Sequence, residues 1–181
     1  MTNQEIEAFI TQFPIYQYTF INTEDIEFSD RVRVICKQEC PRYGSSWSCP
    51  PAVGSVERCK AHCLEYPQAL FFSSVTDIAD VTDIDEAVKT KRDHENMTKV
   101  IEDYVRNQSM LVYTLSSDSC CICDKCTYPK NPCLHPEILH PCIESHGIIV
   151  TNLAEKQQMD YYLGEHLILW FSLIFFKTPL D

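Results

Sequence analysis

The 181-residue chain carries 15 Lys and Arg against 26 Asp and Glu, a formal charge of -11. That balance argues against a nucleic-acid partner, because neutralising phosphates needs clustered cations. Hydrophobic residues make up 45% and charged residues 23%; this suits one soluble domain with a real core, and the most apolar stretch, residues 166–176, is too short to cross a bilayer.

Residues 3–12 are expected to form a short helix with Ile6, Phe9 and Ile10 as its apolar face. Aromatic and β-branched content predicts strands over residues 16–21 and 31–36. Residues 36–55, rich in Cys, Pro, Gly and Ser, read as a loop. A helix follows at 55–66 and a strand at 69–75. The clearest helix spans 85–107, where Met97, Val100, Ile101, Tyr104 and Val105 recur at helical spacing. Its Lys89, Lys91, Arg92 and Lys99 alternate with Glu86, Asp93, Glu95 and Glu102, which predicts a solvated face rather than a basic patch. A strand at 110–115 leads into a second cysteine loop. A helical turn at 141–146, a short strand at 147–150 and a buried strand at 167–176 complete the chain. The expected fold is α/β or α+β: a single domain over residues 1–181, with a central sheet, flanking helices and two cysteine-rich metal loops at strand ends.

Eleven cysteines is an odd number, so disulfides cannot use them all. The first residues are acidic and lack the apolar core of a signal peptide, so a cytoplasmic location is expected. In a reducing compartment the same cysteine pattern points to metal.

The second loop reads Cys120-x2-Cys123-x2-Cys126-x6-Cys133. Three thiolates at two-residue gaps let a tight loop wrap one face of a cluster, as in the first half of the bacterial ferredoxin motif. Structural zinc usually takes two separated pairs, so iron–sulfur is the preferred reading and zinc the alternative. Cys121 is an extra thiol inside the motif. His135 and His140 read as loop residues or supports for the ligands, although in a zinc site either could replace a cysteine.

The first loop reads Cys36-x3-Cys40-x8-Cys49, followed by Pro50-Pro51. The prolines stiffen its exit. Gly44 is expected to allow a close backbone approach, and Tyr43 and Trp47 to shield a site from water. Three local thiols leave the fourth ligand open. Cys59 and Cys63 share a helix face and are candidates, although small core residues is the preferred reading. Cys142 is a further candidate. If no fourth cysteine binds, one iron faces substrate or solvent.

Four blocks carry a family resemblance: Cys36 to Gly44, Trp47 to Pro51, Cys120 to Pro136 and Pro141 to Ile148. With these blocks the chain resembles a "predicted metal-binding protein" family of cysteine-rich domains, found widely in anaerobic bacteria and archaea. The resemblance implies metal binding by Cys36, Cys40, Cys49, Cys120, Cys123, Cys126 and Cys133, and no particular reaction. The chain departs from the family's usual pattern at Cys142, where serine is common; Cys63 is also unusual.

The expected function is that of an iron–sulfur protein with one or two [4Fe-4S] clusters, acting in electron transfer or in reductive activation of a redox partner protein. The alternatives are an enzyme that binds substrate at an open-coordination cluster, and a non-redox zinc module. No membrane partner is expected.

Overall fold

The two longest strands each bury six consecutive residues, 69–74 and 171–176, because the sheet they form is covered on both faces. In the computed structural model, which describes residues 2–80 and 83–179, the strands are β1 (Gln17–Asn22), β2 (Gln68–Asp77), β3 (Leu111–Ser116) and β4 (Leu167–Lys177). They form one sheet in the order β1-β2-β4-β3, with every neighbouring pair antiparallel. Successive side chains of a strand point to opposite faces. Leu70, Phe72, Ile174 and Phe176 accordingly pack with Ile6 and Ile10 of α1 (Asn3–Ile10) and with Met97, Ile101 and Val105 of α4 (Ile84–Asn107). Phe71, Phe171, Leu173 and Phe175 point the other way. They meet Cys63 of α3 (Val56–Cys63), Ile143, Ile148, and Leu153 and Ala154 of α5 (Val150–Lys156). The result is a three-layer, single-domain α+β fold.

The helices are fixed by local chemistry. Thr2 and Glu5 form a reciprocal capping box on α1. Asp83 accepts from the first-turn amides of Asp85 and Glu86 at the start of α4.

Three expectations are corrected. Residues 31–36 are helical and belong to α2 (Asp30–Glu39), so the first cysteine loop follows a helix and only the second follows a strand. Val32, Val34 and Ile35 suggested a strand, but the Ser29 hydroxyl accepts from the Arg31 amide and starts a helix. No residue of α2 is fully buried, and Val34 and Ile35 are 52% and 54% exposed. Residues 147–150 are likewise no strand. Ile148 makes one isolated bridge to Phe28, and Val150 opens α5, a helix that the sequence reading did not find. The charged face of α4 is only partly solvated: Lys89, Arg92 and Asp93 are exposed, but Lys91 is 2% and Glu102 5% exposed, with Lys91 paired to Glu95 and His140 set against Glu102.

Gly147 ends the turn before α5 at φ +81°, and its carbonyl accepts from the Ser29 amide at 2.7 Å. A Cβ there would meet Val56 Cγ1 at 2.8 Å and the Ser29 carbonyl oxygen at 3.0 Å. Gly147→Ala is therefore expected to cost about 1–3 kcal/mol through a left-handed backbone and a clash together. Urea denaturation checks this, and an unchanged midpoint would contradict it.

Candidate metal centres

The second cysteine loop leaves the end of β3 and returns along the sheet edge. Thr127 pins it, with its hydroxyl donating to the Pro132 carbonyl at 2.7 Å and its own carbonyl accepting from Lys130 and Asn131. The loop brings Cys120, Cys123, Cys126 and Cys133 around one cavity of about 20 Å³. Ile122, Leu134, Leu139 and Trp47 supply its apolar cover, and Thr127 and His135 complete the lining. The His135 amide donates to Cys133 Sγ at 3.4 Å. Cys121 is not part of this lining. It faces a neighbouring cavity beside α4, and only Cys120 and Ile122 line both spaces.

The first loop builds a different environment. Cys36 and Cys40, from the last turn of α2 and its C-cap, line a groove of about 850 Å³ together with Cys142, Glu144 and Asp118. Cys49 lies close enough to Cys36 and Cys142 to raise both, and Cys40 raises Cys49 in turn. Burial pushes the Cys36 thiol up to about 11, and the neighbouring Cys40, Cys49 and Glu144 add to the shift. Burial also raises Cys49, and raises Cys142 strongly; Cys142 donates to Glu144 Oε2 at 2.8 Å. Cys120 in the second loop is likewise raised to about 11, first by burial. These thiols hold their protons near neutral pH unless a cation displaces them, so metal loading must release protons and strengthen as pH rises.

The three candidates for a fourth ligand separate in space. Cys63 is fully buried in the core beneath α3. Cys59, one turn earlier, donates to the Val53 carbonyl at 3.4 Å and has Arg33 Nη2 at 3.7 Å. Cys142 alone of the three lines the groove with Cys36 and Cys40.

The two loops interlock through residues that sequence reasoning gave other roles or none. Trp47 was expected over the first site. It instead covers the second, with its Nε1–H donating to the Asn131 carbonyl at 3.2 Å and its ring edge-on to Tyr128. Ser48, fully buried, accepts at Oγ from the Cys120 amide at 2.9 Å, and its carbonyl accepts from the Cys142 amide at 3.0 Å. The only sequence signal for Ser48 was its place between Trp47 and Cys49. Gly44 is explained by its φ of +69° and not by a close approach, since nothing lies within 4 Å of where its Cβ would stand.

His140 was read as a loop residue or ligand support. It sits between two carboxylates of α4, with Nδ1 at 2.7 Å from Glu95 and Nε2 at 2.8 Å from Glu102. Burial alone would lower it, but Glu102 and Glu95 hold it protonated up to about 9. Burial acts to raise Glu95, yet His140 and Lys91 bring it down to about 2. Arg106 and Lys99 reach Glu102 from the solvent side.

Among the described residues, no three His, Cys, Asp or Glu side chains converge on a single-ion position. Among the same residues, no helix is long and apolar enough to cross a membrane. The donor sets are sulfur-rich, with four thiols around one apolar cavity and three or four beside an open groove, and soft thiolates suit iron–sulfur clusters or zinc. No curated protein and no solved structure matches the chain. The family model described as "Predicted metal-binding protein (DUF2284)" matches residues 19–176, which take in both cysteine loops and most of the sheet; the chain belongs to that family.

Proposed function

We propose that this protein carries two [4Fe-4S] clusters and acts in electron transfer or in reductive activation of a partner protein. The observation that carries the reading is the cavity lined by Cys120, Cys123, Cys126 and Cys133, the four thiols of the ferredoxin-like spacing, with Cys121 outside it. When bound, a cluster stores one electron at a potential set by hydrogen bonds to its sulfurs and by burial. The chain's own residues supply both controls at the second site. The His135 amide donates to Cys133 Sγ and favours its negative charge, while Trp47, Ile122 and Leu139 exclude water.

A second reading rests on the groove at the first site. The groove of about 850 Å³ at Cys36, Cys40 and Cys142 is large enough for a small molecule, which favours an enzyme binding substrate beside a cluster there. Its floor is apolar, from Val150, Leu169 and Phe171, while Arg31, Glu39 and Glu144 provide charge. Cys142 is the proposed fourth ligand, and Glu144, which accepts from its thiol, would orient it.

Anaerobic purification followed by iron, sulfide and zinc analysis tests the proposal. The expected result is about eight irons and eight sulfides per chain for two cubanes. Colourless protein fully loaded with zinc would overturn it in favour of a zinc module.

A further inference from the structure

The cavity beside Cys121 has no part in either cysteine set, apart from the Cys120 and Ile122 it shares with the second site. It holds about 280 Å³ between α4 and the turn at residues 120–122. Arg92, Asn96 and Lys99 line it from positions i, i+4 and i+7, one stripe of the helix. Ile122 and Ile138 form its apolar side.

The charges around it are unevenly committed. Glu95 also lines the cavity, but one oxygen is held by Lys91 at 2.7 Å and the other by His140 at 2.7 Å. Lys99 is engaged by Asp103 at 2.5 Å. Arg92 is different: exposed at the rim, its Nε donates to the Cys121 carbonyl at 3.2 Å and tethers the side chain there. Among the described residues, no protein group takes its two Nη groups or the amide of Asn96, and both side chains are open to solvent at the mouth of the cavity. A tethered guanidinium with both Nη groups open, beside an amide and two isoleucines, is the chemistry that grips a carboxylate and accepts a short hydrocarbon tail. The volume is just below the range of typical small-molecule pockets, which start at roughly 300 Å³, so a nucleotide is too large.

We infer that this cavity binds a small aliphatic carboxylate, with Arg92 on the carboxyl group and Ile122 and Ile138 on the tail. The site does not depend on which metal the cysteine loops hold. The Cys121 thiol on its wall provides a reporter.

The test uses the intact, metal-loaded chain. Cys121 is alkylated with iodoacetate, which carries a carboxylate, or with neutral iodoacetamide. Fragmentation mass spectrometry assigns the label among Cys120, Cys121 and Cys123. The iodoacetate-to-iodoacetamide rate ratio at Cys121 is expected to be about tenfold higher in the wild type than in Arg92→Gln, the scale of one hydrogen bond to a charged group. Propionate at millimolar concentration should also slow iodoacetamide labelling of wild-type Cys121, a measurement that needs no variant. Equal ratios in the two proteins, no protection by propionate, or a Cys121 that neither reagent reaches would each overturn the inference.

Discussion

Replacing His140 with alanine is expected to destabilise the fold by about 3 kcal/mol, the low end for removing one member of a buried charge network. Glu95 and Glu102 would lose the imidazolium between them. The loss stays at the low end because Lys91 still holds Glu95, and Arg106 still holds Glu102. The network need not make the protein more stable than a well-packed apolar equivalent; breaking it is costly because charge is left behind. The sign of the pH dependence follows from the direction of each shift. His140 is raised to about 9, so its contribution is fully present below its unfolded value of about 6.5 and is lost as pH rises through 9. His94, hydrogen-bonded to Ser74 and Ser172, and His146, hydrogen-bonded to Tyr113, are both lowered to about 4 by burial. They make the fold lose stability as pH falls from about 6.5 toward 4. Urea midpoints of wild type and His140→Ala should therefore differ most near pH 6 and converge above pH 9. A gap that stays constant across that range would show that His140 is not the charge held between the two glutamates.

Cys123→Ala is expected to remove the second cluster, which is about four of about eight irons, while Cys121→Ala leaves the iron count unchanged. Both residues lie in the same loop, but only Cys123 lines the cavity with Cys120, Cys126 and Cys133. At the first site, Cys142→Ala should lower iron retention and Cys59→Ala should not, because Cys142 lines the groove with Cys36 and Cys40 while the Cys59 thiol donates to the Val53 carbonyl. Iron analysis with paramagnetic resonance of the reduced protein separates these outcomes. Equal loss from Cys121→Ala and Cys123→Ala would contradict the division of the loop.

By itself the sequence determined the sheet strands, α1, α3, α4 and the family, and it singled out the four-cysteine motif. Those features rest on local signals: aromatic and β-branched content, helical spacing, and thiols at fixed short gaps. Residues 31–36 misled because β-branched content is a weak preference that the Ser29 cap overrides when no neighbouring strand is available. α5 escaped notice because a seven-residue helix without a side-chain cap has little local signature. Tertiary structure decided which thiols face which space. Cys121 and Cys123 are two residues apart yet line different cavities, and Cys142 reaches Cys36 and Cys40 from far along the chain. It also buried His140 between Glu95 and Glu102, because a charge can be taken out of water only when folding brings its partners to it.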